Sequence, residues 1–88
     1  MADNCPLYYR QHSKIFTVME INKAIGTKIR SMRLEKKLSQ EKLAGLAEID
    51  RTYMQSIEKG ERNISVAILY KIAKALELKM SNLLENID

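Results

Sequence analysis

Four polar residues on one side of segment 50–59 could form specific hydrogen bonds with a partner. Arg51 can donate two hydrogen bonds to O6 and N7 of guanine, and Gln55 can pair with N6 and N7 of adenine. Thr52 can touch a thymine methyl group or donate its hydroxyl, and Ser56 adds a second hydroxyl. Any exposed helix can carry these residue types, so they need a structural frame before they indicate nucleic-acid recognition.

The other reactive side chains do not suggest an enzyme or a metal site. The chain has one cysteine, Cys5, and one histidine, His12, and both lie in a segment without regular periodicity. Two such ligands cannot complete a tetrahedral site without carboxylates or a second chain. They are interpreted as a free thiol and a solvent-facing histidine. We therefore expect no catalysis, no metal and no cofactor.

Length and composition indicate one small domain. The 88 residues include 15 lysines and arginines and 11 aspartates and glutamates, which gives a net charge of +4. This small excess of positive charge does not by itself indicate that the protein binds nucleic acid. A single cysteine excludes internal disulfides, and no apolar run is long enough to span a bilayer. The first residues also lack the basic start and apolar core of a signal peptide.

Residues 40–59 predict two short helices that are joined by a tight turn. Ser39 suits the N-cap of a helix over 40–47, and Asp50 suits the N-cap of the next, over 50–59. Helices joined by so short a turn must cross steeply and share a small apolar contact. That contact is expected to contain Leu43, Ala47, Ile49, Met54 and Ile57.

Three further helices are predicted around this pair, so the fold class is all-α. The first runs from about Ile21 to Lys36, and Gly60 ends the helix over 50–59. Ser65 caps a helix over Val66–Leu76, and a last helix covers about Met80–Asn86. The inward stripe of the first helix is predicted to be Ile25, Ile29, Met32 and Leu34, with Ile21 ahead of it.

The pair of helices over 40–59 resembles the helix-turn-helix of Cro/C1-type regulators of the XRE family. The run Asp50-Arg-Thr-Tyr-Met54, followed by Gly60-Glu-Arg-Asn-Ile-Ser65, is most similar to the controller proteins of restriction–modification systems. The resemblance covers about residues 22–84 and implies a compact five-helix, lambda-repressor-like domain with a central helix-turn-helix. The matching residues are Gln40, Leu43, Ala44, Ala47, Ile49, Asp50, Met54, Ile57 and Glu58.

The resemblance also implies how this domain would meet double-stranded DNA. The second helix of the pair enters the major groove, and the residues beside it hold phosphates. The base-reading residues would be Arg51, Thr52, Gln55 and Ser56. The phosphate contacts would be Gln40, Tyr53, Arg62 and Asn63. For Tyr53, packing at the helix edge is the alternative to a phosphate contact.

Three positions bear on how the second helix is held. The resemblance pairs Arg33 with Glu58 as a structural ion pair. The family usually has glycine at the turn position that Glu48 occupies, because the backbone there is left-handed. A non-glycine residue in that conformation costs about 1–2 kcal/mol, so either the turn bends differently or the core offsets this cost. Gly45 lies inside the helix over 40–47, where it costs up to about 1 kcal/mol relative to alanine.

The last two predicted helices carry more apolar residues than so small a domain can bury. We interpret the surplus as a dimer interface, with simple core packing as the alternative. The interface residues are predicted to be Leu69, Leu83, Leu84 and Ile87.

The resulting hypothesis is a cytoplasmic transcriptional regulator that acts as a homodimer on operator DNA. Controller proteins first activate and later repress transcription, so the resemblance implies RNA polymerase as a further partner. No interaction with a membrane is expected. A phage-type repressor or an antitoxin of the same fold is the near alternative. A helix-turn-helix adaptor that binds proteins is the alternative from a different class.

Residues 1–18 are predicted to form an N-terminal arm outside the helix-turn-helix domain, which covers 19–88. The arm has no clear period, and Pro6 limits helix formation at its start. We interpret it as a poorly ordered or non-native extension. A basic arm that reaches DNA through Arg10 and Lys14 is the functional alternative.

Overall fold

Five α-helices make up the regular structure of residues 18–87, the part of the chain that the computed structural model describes. No strand occurs in this part of the chain, and the prediction of an all-α, five-helix domain is confirmed. The predicted arm lies outside the described residues apart from Val18, where the first helix begins. The helices are α1 (Val18–Glu35), α2 (Gln40–Ala47), α3 (Arg51–Lys59), α4 (Val66–Ala75) and α5 (Met80–Leu84).

The helix ends follow from short polar side chains and one glycine. Each predicted N-cap accepts a hydrogen bond from a backbone N–H in the first turn, at 3.0 Å for Ser39, 2.8 Å for Asp50 and 3.1 Å for Ser65. Gly60 ends α3 with a φ of 77°, in the left-handed region that glycine adopts without strain. These four predictions are confirmed. The last two helices end sooner than predicted.

The face that α1 turns to the core differs from the prediction at Leu34, and Ile21, ahead of the predicted stripe, is 36% exposed. Arg33 is 7% exposed, whereas Leu34 is 52% exposed, so the prediction that Leu34 points inward is wrong. Positions 25, 29 and 33 are spaced four residues apart and lie on one face of the helix. Leu34 is rotated away from that face, and the arginine occupies the last inward position because it finds an acidic partner there.

One apolar core joins all five helices. Ile29, Leu43 and Met54 are fully buried at its centre, and α5 closes one end of it against α1 and α4. The buried hydrophobic residues are Ile25, Ile29, Leu43, Ala44, Ala47, Met54, Ile57, Leu69, Ile72, Ala73, Leu76 and Leu83.

Two of the residues predicted at a dimer interface belong to this core. Leu83 is 0% exposed and Leu69 is 5% exposed, so neither side chain can contribute area to a contact with another chain. That part of the interface prediction is wrong, because α4 and the short α5 use these two leucines to fill the core. Ile87 is half-buried against the core, and Leu84 remains 44% exposed.

Helices α1 and α3 approach each other more closely than side chains would allow. A Cβ atom added at Gly26 would collide with the carbonyl oxygen of Ile57 and would lie 2.8 Å from that of Glu58. The absence of a side chain at Gly26 therefore lets the backbone of α3 rest directly on α1.

The turn between α2 and α3 contains the left-handed residue that the resemblance implies. Glu48 has φ 60° and ψ 43°, and the backbone N–H of Ile49 donates to the carbonyl of Ala44 at 2.9 Å. Of the two alternatives for this turn, the differently bent backbone is wrong, and a non-glycine residue adopts the strained left-handed conformation. The rest of the fold must offset the cost of about 1–2 kcal/mol.

Candidate nucleic-acid interface

Helix α3 divides into a buried side and an exposed side. Met54 is 0% exposed and Ile57 is 2% exposed, and these two residues fasten the helix to the core. Arg51 and Thr52 are exposed, while Gln55 is half-buried. The four residues predicted to read bases, which include Ser56, are thus carried by one exposed or half-exposed surface. The Ser56 hydroxyl also donates to the Thr52 carbonyl at 3.2 Å.

A buried ion pair lies behind that surface. Arg33 donates from Nε to Glu58 Oε2 at 2.7 Å and from Nη2 to Glu58 Oε1 at 3.1 Å. Its Nη1 donates to the Leu38 carbonyl at 2.8 Å. The two side chains are only 9% and 4% exposed. A planar guanidinium that meets a carboxylate with two bonds fixes both orientations, so α3 cannot rotate on α1 without breaking the pair.

Gln40 belongs to the same network, which the sequence did not indicate. Its Nε2 donates to Glu58 Oε1 at 3.0 Å, so the carboxylate accepts from two different helices. An amide nitrogen has two N–H groups, and the second remains for another acceptor. The phosphate contact predicted for Gln40 stays a prediction. The observed bond shows that its amide is already oriented by Glu58.

Tyr53 and Arg62, both predicted at phosphates, lie against each other. The Arg62 guanidinium carbon is 5.3 Å from the centre of the Tyr53 ring. Tyr53 also packs on the core, while Arg62 is exposed. This distance fits a cation–π contact, and the N–H donors of the exposed guanidinium stay accessible to solvent. The ring thus restrains a long side chain beside the exposed side of α3.

Sequence reasoning missed one residue that touches the predicted phosphate set. Asn22, on α1, donates from Nδ2 to Asn63 Oδ1 at 2.7 Å. Asn63 lies in the loop after α3 and is exposed. The spacing of four residues between Asn22 and Gly26, on the face that meets α3, is the only sequence signal for this contact.

The described residues contain neither a cluster of metal-ligating side chains nor a membrane-spanning helix. Between residues 18 and 87, no three or more histidine, cysteine, aspartate or glutamate side chains are grouped so that they could hold a metal ion. None of the five helices in that range is long and apolar enough to cross a membrane. The interpretations of Cys5 and His12 concern residues outside the described part of the chain.

Comparisons with known proteins agree with the resemblance. A family model described as helix-turn-helix matches residues 29–83. Control protein C.MunI of Mycoplasma sp is 41% identical over 70 residues, which cover 78% of this chain and 95% of that protein. Control protein C.BamHI of Bacillus amyloliquefaciens is 46% identical over 61 residues, which cover 68% of this chain and 75% of that protein.

A solved structure shows the same arrangement of helices. The restriction–modification controller protein C.AhdI of Aeromonas hydrophila superimposes with a TM-score of 0.70 and is 39% identical, covering 70% of this chain and 94% of that one. The sequence-based assignment is confirmed. The chain belongs to the helix-turn-helix family and, within it, to the control proteins of restriction–modification systems.

Proposed function

We propose that the protein is a sequence-specific DNA-binding transcriptional regulator, the controller of a restriction–modification system, which binds operator DNA as a homodimer in the cytoplasm. The observation that carries this proposal is the construction of α3. One side presents arginine, threonine and glutamine to solvent, and the other is fixed by core packing and by the Arg33–Glu58 pair. A helix held this rigidly can present donors to base edges at defined positions.

Specificity and affinity are divided between two sets of residues. Arg51, Thr52 and Gln55 read bases, because they project from the exposed side of α3. The phosphate-holding residues are Gln40, Arg62 and Asn63, with Tyr53 restraining Arg62. Phosphate contacts set the register of the protein on the duplex and carry little sequence information.

The dimer uses the apolar surface that the core leaves uncovered near α4 and α5. Tyr70 is 51% exposed and Leu84 is 44% exposed, and half-buried Ile87 follows α5. A two-fold dimer presents two copies of α3 to half-sites about 34–36 Å apart, one turn of DNA. Regulation of transcription would then bring RNA polymerase to the same operator as a further partner.

Binding to selected DNA tests the division of roles. An operator is first selected from random duplexes, and affinities for it and for a scrambled duplex are measured across a salt series. Arg51→Ala should cost about 1–3 kcal/mol per half-site on the operator and much less on scrambled DNA. Arg62→Ala should weaken both complexes similarly and lower the salt dependence by about one counterion per site.

Arg30→Ala is the matched control for charge. Arg30 is exposed on α1 and outside both proposed sets, so its removal should leave the preference for the operator unchanged. If Arg51→Ala loses the same factor on both duplexes, α3 does not read sequence. If the wild-type protein selects no duplex at all, the protein-binding adaptor becomes the better hypothesis.

Sedimentation tests the dimer. Leu84→Glu places a charge on the proposed interface and should shift the protein towards monomer. Leu34→Glu is the control, because this leucine is 52% exposed on α1 and outside that surface. Wild-type protein that stays monomeric at tens of micromolar, both free and with operator, would contradict the homodimer.

A further inference from the structure

A hydrogen bond joins α1 to the loop that follows α3. Asn22 Nδ2 lies 2.7 Å from Asn63 Oδ1, across 41 residues of sequence. We propose that Asn22 is a positioning residue for DNA binding, which holds the Asn63 amide with its N–H donors turned to the phosphate backbone. This inference rests on the proposed function, and it assigns a role to a helix that has none in reading the operator.

The polarity of the amide explains why this bond matters. A phosphate oxygen only accepts hydrogen bonds, so Asn63 is useful there only if its Nδ2 group points outward. The amide of Asn63 has a donor end and an acceptor end on opposite sides. Because Asn22 donates to the acceptor end, the two N–H groups of Asn63 are left for the partner. A free amide would have to give up rotational freedom on binding.

The backbones on both sides of the bond are held at a fixed distance. A Cβ atom added at Gly60 would lie 2.5 Å from Cγ and 2.7 Å from Cα of Lys23, the residue next to Asn22. One turn further along α1, Gly26 lies against the backbone of α3. The bond between Asn22 and Asn63 therefore connects two segments whose backbones are already in direct contact, so forming it requires no movement of the main chain.

A double-mutant cycle tests the proposal. Operator affinity and urea unfolding are measured for Asn22→Ala, Asn63→Ala and the double variant. We expect Asn22→Ala to weaken operator binding about 3- to 10-fold per half-site, the usual effect of one hydrogen bond. The double variant should bind no more weakly than Asn63→Ala alone, because Asn22 acts only through Asn63. Both amides are neutral, so the salt dependence should not change.

A polarity variant separates positioning from simple loss of a contact. Asn22→Asp offers only acceptors, so it should turn the N–H donors of Asn63 inward and weaken binding more than Asn22→Ala does. Thr27→Asp is the charge control, because it adds the same charge to an exposed position of α1 without meeting Asn63. Asn22→Asp should bind clearly more weakly than Thr27→Asp.

Each contrary result has a distinct meaning. If the losses of the two alanine variants add in the double variant, Asn22 acts by another route and the proposal is overturned. Binding by Asn22→Ala at the wild-type level, or by Asn22→Asp at the level of Thr27→Asp, overturns it as well. In all these cases wild-type protein still binds operator and the proposed function stands. If wild-type protein selects no operator, the proposed function fails and this inference falls with it.

Discussion

Helix α3 is supported in two places that differ in how tightly they are built. Along α1, two backbones touch at Gly26 and a buried ion pair connects Arg33 to Glu58. At the turn from α2, by contrast, Glu48 adopts a left-handed backbone and Gly45 has open space around it. Glycine thus occurs at Gly26, where close packing requires it, and is absent at position 48, where the backbone conformation favours it. Neither packing nor conformation requires the glycine at Gly45.

The comparison predicts the largest effect at the ion pair. Arg33→Leu should lower the free energy of unfolding by about 3–5 kcal/mol, because it leaves the Glu58 carboxylate buried without its cation. Urea unfolding measures the loss. Lys36→Leu is the matched control: its amine is 3.8 Å from Glu77, in a pair that is mostly exposed. That variant should change stability by about 0–1 kcal/mol. Equal losses would refute the difference between the buried and exposed pairs.

Two glycines in helix interiors should respond with opposite signs. Gly26→Ala forces a methyl group into the backbone of α3 and should cost about 3 kcal/mol, the upper end for overpacking. Gly45→Ala meets nothing within 4 Å and should gain up to about 1 kcal/mol from helix propensity. Thermal or urea unfolding of both variants gives the two signs. A gain at both positions would mean that α1 and α3 are not in backbone contact.

The smallest predicted effect is relief at the turn. Glu48→Gly should raise the free energy of unfolding by about 1 kcal/mol, because glycine adopts a φ of 60° without strain. Glu48→Ala keeps a Cβ atom and removes the charge, so it should give no such gain. If both variants stabilise equally, the carboxylate rather than the backbone is the source of the cost.

Local features of the fold could be predicted from the sequence. The caps at Ser39, Asp50 and Ser65 were predictable because a short polar side chain acts on the turn beside it. The pairing of Arg33 with Glu58 followed from the family resemblance, since nothing in the spacing of the two residues reveals it. The helix-turn-helix frame was predictable from several residues at matching intervals.

The positions and contacts that could not be predicted from the sequence share a physical cause: they depend on how the helices pack against one another. Leu34 and Arg33 are neighbours, and only the position of Glu58 decides which of them points inward. Leu83 is buried because it is the residue with which the short α5 closes the core. The amide of Gln40 bonds to a residue of another helix and Asn22 bonds to a residue of a distant loop, and periodicity shows neither contact.

The ion pair also has a consequence for the order and speed of folding. Arg33 and Glu58 are 25 residues apart, whereas the hydrogen bonds of the turn join residues a few positions apart. Short loops close at lower entropic cost, so we expect α2 and α3 to form their corner first and α1 to dock afterwards. A contact made after the transition state acts mainly on the unfolding rate. The lifetime of the folded domain, rather than the speed of its formation, should therefore depend on Arg33.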